Sequence, residues 1–387
     1  MEPSFPQYTN QAKQTRRSLQ TIWQGFSWDS DDVVKMVLLL PTILIVLFLS
    51  IFPLIVSLYL SFARVTFVRG GVDIRFVGVS NYQKLLFGTQ QRHFIGKLGD
   101  LTPVGWLIFV LFALLMLAWL YSELRQGSLG LPGMVLRIVA ATFAIGLMWI
   151  GASTLSDEGL PGTVVVTLIY VVGGVSIQYS IGLMLAMLLV QNLRGKRFFR
   201  IAFLLPMMIT PVGIAFLFRM ITDTHVGPFA PLWVVMGLGD FSWVGTAEGA
   251  RAAVLIGDIW QWTPFMFIIL LAALEGTSQE QLEAAMVDGA NRSRLFRYII
   301  LPQIAPVSLT LILIRLIEAF KIIDIPRILT GGGPGTATES LTLHAYIEWR
   351  APNLGGASAI SYLLLILVTF VALMFVNVVR HQVMRRL

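Results

Sequence analysis

The sequence predicts an all-α fold, a polytopic transmembrane helical bundle of about eight spans, and three observations lead to it. Of the 387 residues, 56% are hydrophobic and 13% charged, with a mean hydropathy of +0.77, whereas a soluble domain averages about 25% charged residues. Apolar runs of the roughly 17–25 residues needed to cross a bilayer recur along the chain. The basic residues gather on alternate connections, as the positive-inside rule requires of a multi-pass protein. This composition excludes a disordered chain. The absence of cysteine excludes a disulfide scaffold, an iron–sulfur cluster, a thiolate zinc site and cysteine catalysis.

A polar tail, 1–35, precedes the first run. Trp23, Phe26 and Trp28 stand near Arg16 and Arg17, so the tail reads as an interfacial segment or as a flexible end. Spans follow at about 36–62, 104–121, 134–153, 163–190, 200–221, 253–274, 305–325 and 359–380. The first is too long, and too far from the start, for a cleaved signal peptide. Its Pro41 and Pro53 are tolerable in lipid. Ser122–Gly133 reads as a turn between two helices that carry almost no charge. The run at 305–325 is the least apolar, since it holds Arg315, Glu318, Lys321 and Asp324.

With the N-terminus inside and eight alternating spans, sixteen of the 28 Lys and Arg residues lie on inner segments and nine on outer ones. Six of those nine share one loop: Arg64, Arg69, Arg75, Lys84, Arg92 and Lys97. Both termini are therefore expected in the cytoplasm. The +7 net charge reads as a topogenic signal, and no basic–aromatic stripe points to nucleic acid.

Signs of catalysis are missing. Gly195-Lys196 does not complete a Walker A loop, because Val190 occupies the upstream glycine position and Arg197 that of Ser or Thr. The Gly331–Gly335 run reads as an irregular loop. His93, His225, His344 and His381 form no i, i+4 pair for a metal, and no GxSxG elbow or carboxylate pair marks a hydrolase. No metal or cofactor is expected on this chain, and any ATP must be used by a partner.

The most informative stretch is 275–306, EGTSQEQLEAAMVDGANRSRLFRYIILPQIAP. Ser278 and Gln281 are spaced as a capping box opening a helix over about 279–288. Gly289 stands where a left-handed residue would close it. A second helix is expected from Asn291 to Ile300, with Pro302 and Pro306 punctuating entry into the next span.

The string Glu283-Ala284-Ala285, Asp288-Gly289-Ala290, Phe296, Ile299, Leu301-Pro302 and Pro306 resembles the EAA signature of the membrane subunits of binding-protein-dependent ABC importers. Ala319–Asp324, Leu329–Gly335, Thr338-Glu339 and Tyr346 look like the segment typical of the carbohydrate-uptake, maltose-transporter branch. Phe76-Val77-Gly78, Asn81-Tyr82, Trp260 and Thr263-Pro264-Phe265 fit the same branch. The resemblance implies a type I importer core over 163–380, with a coupling loop at 275–303, a first span and outer loop over 36–103, and a C-terminal end at 381–387. The 104–162 segment departs from the family pattern and reads as an inserted transmembrane hairpin. It preserves topological parity and is expected to be a lipid-facing or partner-docking accessory.

By the same resemblance, Glu283, Ala284, Ala285, Asp288, Gly289 and Ala290 would dock into a cytoplasmic ATP-binding subunit. A homologous second membrane subunit, two ATP-binding subunits carrying ATP and Mg, and an extracytoplasmic solute-binding protein would complete the complex. Its place would be the cytoplasmic (inner) membrane of a bacterium or archaeon, and its cargo a sugar, oligosaccharide or polyol-like solute.

Polar side chains within spans are expensive and face a cavity or one another. Arg315, Glu318 and Lys321 have i, i+3 spacing and are expected to satisfy each other. Asp258, Trp260, Gln261 and Trp262 together with Lys321 and Asp324 are candidate pathway residues, since sugars are held by aromatic faces, amides and carboxylates. Trp260 and Trp262 equally fit an interfacial belt near the start of a span. An importer of a compatible solute or glycerol phosphate is the competing reading within the family. An ion-driven secondary carrier is the competitor outside it, but the inverted repeats of that class are not evident.

Overall fold

The computed structural model describes residues 30–125, 131–191 and 194–384. Most of the N-terminal tail, with Trp23, Phe26 and Trp28, lies outside the described residues. The described chain forms two compact units that meet at Tyr59 and Leu60, and each is described by itself.

The first unit holds helix α1, Ser30–Val46, which continues through a π-helical turn at Leu47–Ile51 into Phe52–Ser61, the last two residues of which belong to the second unit. Its membrane-length portion is Val37–Ser61. Pro41 lies within the helix, as the lipid setting permits.

The second unit opens with a hairpin, β1 (Ala63–Val68) paired antiparallel to β2 (Gly71–Phe76). Helix α2 (Ser80–Leu86) fastens it, because Asn81 donates to the carbonyls of Ser61 and Ala63 at 2.9 and 3.0 Å. Tyr82 donates to Ser61 Oγ at 2.8 Å. A short α3 (Gln91–Phe94) leads to β3 (Gly96–Lys97), which pairs with β4 (Leu160–Pro161), Lys97 opposite Leu160. Everything between these two strands is a loop that leaves and returns at one point.

Two long helices fill that loop, α4 (Pro103–Arg125) and α5 (Leu131–Thr154). The expected turn at Ser122–Gly133 is shorter than it reads: Ser122–Arg125 is helical and α5 is under way by Gly133, a tolerance for glycine common in membrane helices. Nor is the hairpin free of charge where it matters. Glu123 and Arg137 are buried and ion-paired, so Arg137 is a structural cation rather than a loop signal. Phe143 of α5 packs edge-on against Phe370, with centroids 4.3 Å apart.

Helix α6 runs from Thr163–Leu168 through a π turn at Ile169–Gly173 into Gly174–Leu189. The expected single span at 200–221 is two helices, α7 (Lys196–Met208) and α8 (Pro211–Thr222), bent by 97°. The reason is local. Thr210 adopts an extended conformation and caps α8 by accepting from Gly213 N–H, while Pro211 supplies the first helical residue. Among the described residues seven helices are long and apolar enough to cross a membrane, or eight if the bent pair is one span.

The remaining elements are α9 (Ala230–Val235), α10 (Ala247–Glu275), α11 (Gln279–Val287), α12 (Arg292–Leu295, a π turn at Phe296–Ile300, then Leu301–Ala319), α13 (Asp324–Leu329), α14 (Leu341–Arg350) and α15 (Leu354–Met384). The larger apolar core joins α6, α10, α12 and α15, and a second unites α6, α8, α10 and α13. Helices α6 and α10 are in close contact at Gly182. A Cβ there would lie 2.6 Å from Met266 Cβ, so glycine is required for the contact, as at many membrane helix crossings.

Candidate functional site

The segment after α10 is a small, closed helical element on a surface. Glu275 ends α10 and holds Lys196 and Arg200 at 3.0 and 2.8 Å. The expected capping box does not form: Ser278 is extended at the N-cap but its side chain caps nothing. Gln281 instead accepts from Gln303 Nε2, which ties α11 to the opening of α12. The close of α11 is as expected. Gly289 has φ +82°, its N–H donates to Met286 O at 3.1 Å, and Ala290 N–H reaches back to Ala285 O at 2.9 Å. These two bonds are the Schellman motif.

Asn291 then caps the next helix by accepting from Arg294 N–H at 2.9 Å. That helix is not separate from the following span, as the prolines suggest it should be. It passes through a π turn into the membrane portion of α12, with Pro302 in the first turn after the bulge and Pro306 inside. Neither Pro302 nor Pro306 stops it, because a π bulge and lipid-embedded neighbours absorb the missing donors. No side chain of α11 is buried; Val287 is 88% exposed and Glu283 accepts only a 3.3 Å bond from Gln279. Space around Gly289 is open, so its role within the chain is conformational and not one of close packing.

A second site lies inside the bundle. Arg315 of α12 is 1% exposed. Its Nη2 donates to Asp258 Oδ2 of α10 at 2.6 Å, and its Nε to Gln178 Oε1 of α6 at 2.9 Å. Gln178 Nε2 closes the ring by donating to Asp258 Oδ2 at 2.8 Å. The Trp262 ring lies under the guanidinium, 4.6 Å from centroid to Cζ, a cation–π contact. The i, i+3 expectation is therefore corrected in part. Lys321 does pair with Glu318 at 2.7 Å, but Arg315 turns inward to a partner on another helix. Gln178 escaped the sequence reading because a lone amide among apolar residues carries no spacing signal.

This closed ring occupies the Asp258 carboxylate. Among the described residues the Gln261 amide makes no hydrogen bond, although Gln261 is buried, so it keeps its bonding capacity. Trp260 projects to the other side of α10, packs edge-on against Phe218 at 5.8 Å and lines a cavity of about 480 Å³ with Phe203, Pro206 and Ile259. Because α10 starts at Ala247, both tryptophans sit mid-helix and not at its outer edge. Lys321 is exposed, and Asp324 stands in the first turn of α13, just after the break that separates it from α12.

The Gly-rich stretch after α13 folds into a latch. Ser340 and Thr342 donate to the Ile322 and Phe320 carbonyls freed by that break, at 2.6 and 3.0 Å. Leu341 N–H donates to Thr167 Oγ1 of α6 at 2.8 Å, and Arg251 of α10 donates to Ala337 O at 2.9 Å. Glu339 meets His93 of α3 at 3.0 Å; that hydrogen bond raises the His93 pKa above the ordinary imidazole value.

The family model described as the inner membrane component of binding-protein-dependent transport systems matches residues 178–386. The chain belongs to this family. A trehalose/maltose transport system permease protein from Thermococcus litoralis is 34% identical over 208 residues, 54% of this chain and 70% of that one. An sn-glycerol-3-phosphate transport system permease protein from Brucella abortus is 30% identical over 251 residues, 64% and 81% of the respective chains. In fold, the chain resembles a subunit of a bacterial ABC transporter that imports the acidic polysaccharide alginate, with TM-score 0.59 and 18% identity.

For this transport component, the family match takes in α11, α12 and the whole Gln178–Asp258–Arg315 ring. The fold likeness covers 94% of this chain and 99% of the other.

Proposed function

We propose that the chain forms half of the translocation pathway of an ATP-driven importer for a sugar, oligosaccharide or polyol-like solute. It takes mechanical work from cytoplasmic ATPase subunits through α11. The carrying observation is that α11, with no buried side chain and closed by a Schellman turn, is joined to α12 by only the four residues Asp288–Asn291. A push on α11 is thus a push on the span that bears Arg315, and packed helices pass such displacements as rigid bodies. Glu283, Ala284, Ala285, Asp288, Gly289 and Ala290 form the docking face, with small side chains allowing close approach and carboxylates available for charge-assisted bonds.

ATP and Mg belong to the partner subunits. A second, homologous membrane subunit completes the pathway and a solute-binding protein delivers cargo from outside. With the bent α7–α8 pair as one crossing, both termini lie in the cytoplasm of a bacterial or archaeal cell, and the 275–303 loop with them. A neutral polyhydroxylated cargo fits because the buried Arg315 is already neutralised by Asp258, which leaves Gln261 and aromatic faces on offer. The names of the trehalose/maltose relatives support that class.

Affinity purification of the tagged chain from its native membrane in mild detergent tests this reading. Mass spectrometry should recover an ATP-binding subunit and a second permease-like chain, and ATPase activity should rise with sugar-loaded binding protein. Recovery of this chain alone or as a homo-oligomer, under conditions that keep other transporters intact, would overturn it.

A further inference from the structure

The histidines that look scattered in the sequence meet in the fold. His93 of α3 and His344 of α14 stack with centroids 4.1 Å apart. One potential metal-ligating atom from each of His93, Glu339 and His344 lies within 4.8 Å of those of the other two. His344 is fully buried. Its Nδ1 lies 3.3 Å from Thr163 Oγ1, a contact that fixes the ring, while its Nε2 is buried without a hydrogen-bond partner. A buried polar atom without a partner is costly, so this nitrogen calls for a partner that the chain itself does not supply. The nearest acidic atom is Glu348 Oε1 at 3.8 Å, beyond hydrogen-bond reach. Glu348 itself is held by Gln90 at 2.8 Å and Asn353 at 2.6 Å, which leaves it positioned but directed toward the imidazole.

We infer that His93, His344 and Glu339 bind a divalent transition-metal ion of the Zn²⁺ type. Two imidazoles with a carboxylate form the mixed nitrogen–oxygen set that suits Zn²⁺ and its neighbours, and Mg²⁺ or Ca²⁺ would take oxygen alone. Zn–N bonds of about 2.0–2.1 Å place tetrahedral donors about 3.3 Å apart. The cluster must therefore tighten on loading, and the partly exposed His93 ring on its short helix can supply that movement. The ion would take up the orphaned His344 nitrogen, and Thr163 would orient that ring from behind, as outer partners of metal-bound histidines do. It would also staple α3, on the stretch before the hairpin, to the latch that closes α13 and α14. Nothing in this site depends on the transport reading or on the α11 face.

The test uses the full-length chain, purified through a tag free of histidine, stripped with chelator and dialysed against Zn²⁺. Elemental analysis should find one Zn²⁺ per chain more than in His93→Gln, and Zn²⁺ should raise the unfolding temperature of the wild type but not of that variant. Co²⁺ in place of Zn²⁺ should give visible absorption that is lost in both His93→Gln and Glu339→Gln. The His225→Gln variant, altered away from the cluster, should retain all three signals. Equal metal content in wild type and His93→Gln, or a Zn²⁺ effect on stability that His93→Gln preserves, would overturn the site.

Discussion

Gly289 holds φ +82° with open space around it, so a side chain there fits sterically but not conformationally. The left-handed backbone costs an L-residue roughly 1–2 kcal/mol, and asparagine tolerates it best. Gly289→Asp should insert and assemble normally yet lose transport-coupled ATPase activity in proteoliposomes, whereas Gly289→Asn should keep most of it. An aspartate variant with full coupled activity would refute the role. At the buried ring the argument is electrostatic. Asp258→Leu strands the Arg315 charge, which should cost about 3–5 kcal/mol, read as a large fall in unfolding temperature in detergent. Adding Arg315→Met to that variant should recover stability, and a strictly additive loss would show that the two do not act as a pair. Gln261→Ala, by contrast, removes an amide that bonds nothing in the chain. It should lower substrate-stimulated turnover and leave the unfolding temperature unchanged.

At the scale of elements, the β3–β4 pair makes the hairpin separable. Lys97 and Leu160 are already opposite one another, and a two-residue Asn-Gly turn is the favoured link between antiparallel neighbours. A chain in which Asn-Gly replaces residues 98–159 should still insert and co-purify with its partner subunits. Failure to assemble would make the hairpin a docking element for one of them. Helix content and placement were largely legible, because long apolar runs and caps are local signals. The α11 close at Gly289-Ala290 could be read from one glycine. The capping box could not, because Gln281 is drawn instead to Gln303, a partner 22 residues away. The bend at Thr210-Pro211 has a local signal, a capping residue followed by proline, set within a run whose apolar length fits a single span.

At the scale of the whole molecule, the topology turns on that bend. If α7 and α8 make one crossing, the 223–246 loop and the 275–303 loop lie on opposite sides of the membrane. The chain has no cysteine, so single introduced thiols report cleanly. In intact cells an impermeant maleimide should label Ser242→Cys, and Ser278→Cys only after permeabilisation. Labelling of Ser278→Cys in intact cells, with Ser242→Cys protected, would reverse the parity and with it the cytoplasmic placement of α11.

The sequence alone determined that this chain crosses a membrane many times, and that one polar segment carries a helix closed by glycine. Both follow from composition and short-range spacing, and neighbours along the chain suffice to express them. Only the tertiary structure decided which polar residues meet. Arg315 finds Asp258 and Gln178 on two other helices, and His93 finds His344 across 251 positions of sequence. A buried charge or imidazole takes the partner that lies nearest in space, and helix packing, not sequence spacing, sets which one that is.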